Sequence, residues 1–216
     1  MTLVSVNVGL PREVSWQGGT VTTGIFKQPV DGRVKVGRLN LEGDRQADLS
    51  VHGGLSKAVY VYPKEHYPYW REQFPDIDMP WGMFGENFSV EGLFEDRMNI
   101  GDRLRIGSAV FMVTEPRMPC YKLGIKFGRK DIIPRFLAGR RSGFYLAVLE
   151  EGEVGAGDAI RRLSKAERSV TVADIVRIYA DRSNKNPDLI HRAIQTEGLP
   201  DSWRDYFSRQ LQGVKA

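Results

Sequence analysis

The sequence predicts a mainly β protein whose sheet closes into a barrel or folds into a sandwich, followed by a small helical domain. Short runs rich in β-branched and aromatic residues, bounded by Gly, Pro or Asp, fill the first three quarters of the chain, where most of its 23 glycines also lie. Near residue 164 the composition becomes polar and charged, and this strand pattern ends. We therefore predict one domain over residues 1–163 and a second over residues 164–216.

The strand signal comes from segments that are too short for helices and rich in residues that favour a pleated surface. Predicted strands cover residues 4–8, 34–36, 58–62, 103–106, 109–114 and 144–149.

Two short helical insertions are predicted within the strand-rich region. In residues 63–74 the apolar side chains recur at helical spacing, and Pro68 should shorten or kink the helix. A second helix is predicted over residues 131–138, ending near Gly139.

Three further helices are predicted in the C-terminal domain. Thr171 can cap the first, Asn186 followed by Pro187 begins the second, and Asp201 starts the third. A three-helix unit raises the possibility of DNA binding. However, residues 164–216 hold nine Lys or Arg against seven Asp or Glu, with the signs interspersed, so the sequence argues against a nucleic-acid partner.

Charge and composition limit the partners further. A net charge of +4 suits an anionic small molecule better than a long polyanion. No run approaches the roughly 20 apolar residues of a membrane helix, so no membrane partner is expected. One cysteine and no recognisable export signal predict a cytoplasmic protein.

Cys120 is the single cysteine, so it can act only as one soft ligand or one nucleophile. Arg117 and Lys122 lie close by in sequence and should favour the thiolate. A buried structural cysteine is an equally good reading of these residues. A Cys120–His52 hydrolase is a further alternative, although no motif supports it.

Two polar segments could bind an anion. His52 and Lys57 flank Gly53 and Gly54, where Lys57 could supply charge and His52 a donor or proton, unless this is only a tight turn. Arg45 could grip a carboxylate or phosphate, unless Asp44 and Arg45 simply form a surface turn with a weak ion pair.

A third candidate is the glycine-punctuated aromatic loop over residues 81–90. Asn87 offers the donor and acceptor that recognition of a polar heterocycle requires, and Glu86 could donate a proton if burial raised its pKa. The alternative is an asparagine that only satisfies a turn. The chain has too few Cys and His for a zinc finger, and it lacks both a Walker loop and a dinucleotide fingerprint.

Taken together, residues 51–54, 84–87 and 116–120 resemble the MOSC domain, named for the molybdenum cofactor sulfurase C-terminus. The likeness is strongest to the bacterial 6-N-hydroxylaminopurine resistance proteins of the YiiM type, in which a three-helix domain follows the barrel. It therefore covers nearly the whole chain.

This resemblance implies a MOSC-type β-barrel that binds the molybdenum cofactor, a pterin with a dithiolene and a terminal phosphate. It implies that Cys120 ligates molybdenum and that Arg45 and Asn87 contact the cofactor, with Lys27 at the family's basic position. Many relatives have Arg-Pro-Asn where this chain has Gly85-Glu86-Asn87. The missing arginine would be replaced by Lys57 or Arg117, and His52 completes the predicted site.

The implied activity is molybdenum-dependent reduction of N-hydroxylated bases and related N-oxygenated compounds, a detoxification. His52 or Glu86 would donate the proton, with Cys120 at the metal. No flavin or haem motif is visible, so electrons should come from a separate flavin-containing reductase. Two alternatives remain: a cofactor carrier or sulfur-transfer accessory without turnover, and a nucleic-acid-binding module led by the helical tail.

Overall fold

The computed structural model describes residues 1–47, 53–181 and 186–213. Within these ranges the chain forms twelve strands and six α-helices. The strands are β1 (Thr2–Val8), β2 (Arg12–Trp16), β3 (Gly19–Thr23), β4 (Gln28–Val30), β5 (Arg33–Val36), β6 (Val59–Pro63), β7 (Phe88–Glu91), β8 (Arg103–Ile106), β9 (Ala109–Pro116), β10 (Phe144–Glu150), β11 (Gly152–Gly155) and β12 (Ile160–Ser164). The helices are α1 (Tyr67–Gln73), α2 (Tyr121–Phe127), α3 (Ile132–Gly139), α4 (Val172–Ala180), α5 (Pro187–Gln195) and α6 (Asp201–Leu211).

Eight strands form one sheet in the order β12-β8-β9-β10-β6-β7-β1-β4. Its neighbours pair antiparallel except β6 and β7, which run parallel. An isolated bridge joins Thr2 in β1 to Ala159 just before β12, so the sheet curls back on itself, although its ladder stays open. The mainly β fold with short helical insertions and a C-terminal helical domain is therefore confirmed.

All six predicted strands are present, but the structure has twelve, so several elements were missed, among them the hairpin β2–β3 and helix α2. The hairpin β2–β3 is mostly exposed, so it lacks the apolar alternation that marks a half-buried strand. Its turn uses Gln17 and Gly18, both at positive φ. Helix α2 was missed because it directly follows the proline-rich segment after β9 and contains Gly124.

The two predicted helical insertions are confirmed as α1 and α3. Pro68 lies in the first turn of α1, where its missing N–H costs no helical hydrogen bond. The preceding residues, Lys64–His66, form a separate 3-10 turn, so the proline shortens the α-helix as predicted.

Two hydrophobic clusters fill the interior. One lies inside the curled sheet and extends to the C-terminal helices through residues such as Ile175 and Phe207. The other is aromatic and holds α1 and α3 against the sheet. There Tyr62 stacks on Phe84 at 4.3 Å between ring centroids, and its hydroxyl accepts a 2.6 Å hydrogen bond from Trp70 Nε1.

The caps predicted for the C-terminal helices are present. Thr171 and Asp174 form a reciprocal capping box at the start of α4. The Asn186 side chain accepts a 3.0 Å bond from the Leu189 amide at the start of α5. Strand β12 ends at Ser164, and the predicted boundary after residue 163 stays a prediction. In the described part of the chain, none of the helices is long and apolar enough to cross a membrane.

Candidate functional site

An open cleft of about 590 Å³ lies beside the segment that joins the end of β9 to the start of α2. We call it the cation cleft, because its described lining contains five Lys or Arg side chains and no carboxylate. Six residues proposed from the sequence line it: Lys27, Arg45, Lys57, Asn87, Arg117 and Cys120. The fifth cation is Lys122. The fold thus gathers cations that are up to 95 positions apart (122 − 27, for Lys27 and Lys122) in the cleft that Cys120 lines.

Cys120 lies at the boundary between the sheet and α2. Its backbone is extended (φ −123°, ψ 171°), and the residue caps the helix without a side-chain capping hydrogen bond. The residue is partly exposed and lines the cleft. Among the described residues, no group of three or more His, Cys, Asp or Glu could hold a metal ion.

Arg117 is a buried cation, only 5% exposed. Its guanidinium carbon lies 5.5 Å from the centre of the Tyr60 ring and 5.2 Å from that of Phe136. Within the described residues its Nη1 atom has no hydrogen-bond partner. A buried donor without a partner is costly, so Arg117 has hydrogen-bonding capacity left for an anion in the cleft.

Lys27 and Asp44 form a buried ion pair in direct contact. Burial lowers the pKa of Lys27, while Asp44 and, more weakly, Glu86 oppose that shift. The alternative of an exposed Asp44–Arg45 pair is wrong, since Asp44 is 2% exposed and bonds to Lys27. Close packing in this region requires Gly24, where a Cβ atom would lie 2.4 Å from the Arg45 carbonyl oxygen.

Asn87 ties this pair to the sheet. Its Nδ2 donates to Asp44 Oδ2 at 2.9 Å and to the Asn7 carbonyl at 3.3 Å, and its Oδ1 accepts from the Tyr60 amide at 3.0 Å. Both N–H groups are therefore engaged by the protein. The geometry gives Asn87 a positioning role for Asp44 and Lys27 beside any contact with a ligand.

Glu86 does not line the cation cleft, although it was predicted as a proton donor. The side chain is fully buried behind the cleft wall, where it accepts bonds from the Tyr67 hydroxyl, Ser89 Oγ and the amides of Gly82 and Phe84. Burial raises its pKa against the effect of these bonds. These donors hold the Glu86 carboxylate in the interior, whereas Asn87 lines the cleft. His52, the other predicted donor, lies outside the described residues.

Lys57 connects the cleft to the C-terminal domain. Its Nζ lies 3.8 Å from Glu115 Oε2, and the same oxygen accepts a 2.9 Å bond from Trp203 Nε1 in α6. Ser56 donates to the other carboxylate oxygen at 3.1 Å. Burial raises the pKa of Glu115, and Lys57 opposes that shift.

A second opening of about 850 Å³ lies between the sheet domain and the C-terminal helices. We call it the aromatic groove, because Tyr179, Trp203 and Tyr206 form its helical wall. Pro116, at the end of β9, and Met118 and Pro119 just after it also line the groove. Three residues line both openings and mark where they meet: Lys57, Cys120 and Tyr145.

Sequence reasoning missed the two tyrosines beside Arg117. Tyr60 in β6 and Tyr145 in β10 are cross-strand partners, with ring centres 5.3 Å apart. Burial raises the pKa of Tyr145 to about 12, so its phenol is protonated at neutral pH. Each looks like an ordinary strand tyrosine in the sequence. Only the pairing of β6 with β10 brings them together, and the register was not predicted.

Known proteins resemble this chain over nearly its whole length. The MOSC domain model matches residues 48–161, and the model of the YiiM-like 3-alpha helix domain matches residues 170–213. The protein YflK of Bacillus subtilis is 42% identical over 210 residues, which cover 97% of this chain and 94% of YflK.

Two further relatives extend the comparison. The crystal structure of YiiM from Geobacillus stearothermophilus superposes with a TM-score of 0.81 at 32% identity, covering 97% of this chain and 98% of that one. A Gibberella moniliformis protein named a reductase is 34% identical over 200 residues, or 91% of this chain but 35% of its own length. The chain therefore belongs to the MOSC domain family, with a YiiM-like three-helix domain at its C-terminal end.

Proposed function

We propose that this protein binds the molybdenum cofactor in the cation cleft and reduces N-hydroxylated bases and related N-oxygenated compounds. The observation that carries the proposal is the grouping of five cationic side chains and one thiol in a cleft whose described lining has no carboxylate. Such a lining suits a ligand that combines an anionic group with a soft metal.

The residues fit the two ends of that cofactor. A terminal phosphate needs charged donors, and the buried Nη1 of Arg117 is a donor without a partner among the described residues. Lys122 and Arg45 add charge in the same cleft, whereas the charge of Lys27 is shared with Asp44. Molybdenum held by dithiolene sulfurs is matched by a soft thiolate such as Cys120. One cysteine is then sufficient, because the pterin brings the remaining sulfur ligands.

When bound, the cofactor supplies two-electron redox chemistry that the amino acids lack. In the overall reaction an N-hydroxylated amine takes up two electrons and two protons. Its N–O bond breaks, and the products are the amine and water. The protein's part is to hold the cofactor, orient the substrate beside Cys120 and deliver a proton. We propose His52 as the proton donor, because Glu86 is buried and does not line the cleft.

The fungal relative named a reductase supports a redox role, as does membership of a family associated with the molybdenum cofactor. That relative is much longer than this chain, since the match covers 35% of it. We propose that electrons reach this protein from a separate flavin-containing reductase.

The test is an assay of purified protein with reduced methyl viologen as the electron source. We expect 6-N-hydroxylaminopurine to be converted to adenine by the wild-type protein and at less than about one hundredth of that rate by Cys120→Ala. The control is Tyr69→Leu, which alters a tyrosine of α1 outside both openings. Wild-type protein that carries stoichiometric cofactor without turnover would contradict the proposal and favour a carrier.

A further inference from the structure

The aromatic groove differs in chemistry from the cation cleft that it adjoins. Its described lining contains one cation, Lys57, and one carboxylate, Glu115, which lie 3.8 Å apart. The rest is aromatic, apolar or small and polar. The cation cleft suits an anion, whereas the groove suits a neutral and largely apolar ligand.

Three aromatic rings form the helical wall of the groove. Tyr179 and Trp203 meet at 73° with ring centres 5.6 Å apart, and Trp203 and Tyr206 meet at 79° and 6.0 Å. Tyr179 and Tyr206 are only partly buried, so parts of their rings are accessible. Aromatic faces of this kind stack with planar heterocycles.

The position of the groove links it to the thiol. Cys120, Lys57 and Tyr145 line both openings, so a molecule in the groove has one edge beside Cys120. Met118 and Pro119, which directly precede Cys120 in the chain, also line the groove. A ligand held in the cation cleft and a second ligand held in the groove would therefore meet at Cys120.

We propose that the aromatic groove is the substrate subsite, in which Tyr179, Trp203 and Tyr206 hold the ring of an uncharged aromatic N-hydroxylated heterocycle. The C-terminal helical domain then acts as the specificity wall of the site. This inference rests on the proposed function, because it assigns the substrate of the same reaction. It predicts discrimination by ring shape, since a small aliphatic N-hydroxy compound has no face to stack.

The experiment compares Tyr206→Leu with Tyr206→Phe on two substrates, 6-N-hydroxylaminopurine and the non-aromatic N-hydroxyurea. Leucine keeps apolar bulk at this partly buried position but removes the ring, whereas phenylalanine keeps the ring. We expect Tyr206→Leu to raise the KM for the purine by at least about fivefold, the loss typical of one stacking contact. The KM for N-hydroxyurea and the molybdenum content should stay within about twofold, and Tyr206→Phe should resemble the wild type.

A second measurement does not depend on catalysis. Adenine, the unreactive amine, should bind to cofactor-free protein in equilibrium dialysis, and Tyr206→Leu should weaken that binding by at least about fivefold. If the wild type reduces no N-hydroxylated substrate but adenine binding still depends on Tyr206, the result supports the subsite and contradicts the proposed function. If reduction occurs while Tyr206→Leu changes neither adenine binding nor the KM for the purine, the result contradicts the subsite and supports the proposed function. An equal rise in KM for both substrates would also overturn it.

Discussion

Trp203 in α6 donates a 2.9 Å hydrogen bond through Nε1 to the carboxylate of Glu115, which belongs to β9. The same carboxylate lies 3.8 Å from Lys57, a residue that lines the cation cleft. The buried carboxylate of Glu115 therefore links the C-terminal domain to the candidate site. A substitution at Trp203 should alter the surroundings of Lys57, and a substitution at Lys57 should alter those of Trp203.

The first prediction concerns the pH dependence of stability. Burial raises the pKa of Glu115 above its ordinary value of 4.5, so the folded state favours the protonated acid. The stabilisation from that proton is fully present below about pH 4.5 and is lost as the pH rises through the raised pKa. Glu115→Gln cannot ionise, so the free energy of its unfolding should lack this fall with rising pH.

Urea unfolding of both proteins at several pH values from 4.5 to 8 tests this directly. The stability of Glu115→Gln relative to the wild type should increase across the range. Glu91→Gln is a suitable control, because Glu91 is an exposed acid whose pKa is lowered by Lys64. A constant difference between wild type and Glu115→Gln, or one of opposite sign, would refute the assignment.

The second prediction concerns the buried Lys27–Asp44 pair. Asp44→Asn leaves Lys27 without its counter-charge, and removing one partner of a buried pair costs about 3–5 kcal/mol. Asp131→Asn is the matched control, because Asp131 pairs with Arg129 at an exposed position where solvent screens the charges and the loss should be much smaller. Equal losses of unfolding free energy in the two variants would show that the Lys27–Asp44 pair is not a buried structural element.

The third prediction concerns Arg117. Arg117→Met removes the buried charge but retains apolar bulk between the rings of Tyr60 and Phe136. Affinity for inorganic phosphate, measured by calorimetry, should fall at least about tenfold, the effect expected from losing a charged hydrogen bond. Unfolding free energy should change by less than about 2 kcal/mol, because the lost cation–π contacts are offset by removal of an unpartnered donor.

The control is Arg135→Met, which removes an exposed arginine of α3 that pairs with Asp131. Phosphate binding by this variant should match the wild type. Unchanged phosphate affinity in Arg117→Met would mean that the partnerless Nη1 atom does not serve anion binding.

The sequence correctly predicted helix caps and central strands, because both depend on residues close together in the chain. The helix caps at Thr171 and Asn186 are confirmed because a capping residue acts within its own turn. The central strands are confirmed because β-branched and aromatic runs are themselves local. The hairpin β2–β3 was missed because its exposed strands lack alternating apolar residues.

The sequence predicted which residues belong to the site better than it predicted the contacts between them. The lone cysteine suggested one soft ligand or one nucleophile, and the scattered cations suggested an anion site. The cofactor was implied by the resemblance to the MOSC domain, and the roles of individual residues stay predictions. The Lys27–Asp44 pair joins positions 17 apart, and the Tyr60–Tyr145 pair depends on strand register. Neither distance nor register can be read from local composition, which is why Asp44 was wrongly considered a surface partner of Arg45.

The most direct test is the molybdenum and pterin content of protein freshly purified from cells that make the cofactor, comparing the wild type with Cys120→Ala. We expect about one molybdenum and one pterin per wild-type chain, and a loss of at least about tenfold in molybdenum for Cys120→Ala, whose unfolding midpoint should match that of the cofactor-free wild type. Equal molybdenum content in the two proteins, or no pterin in the wild type, would contradict the account.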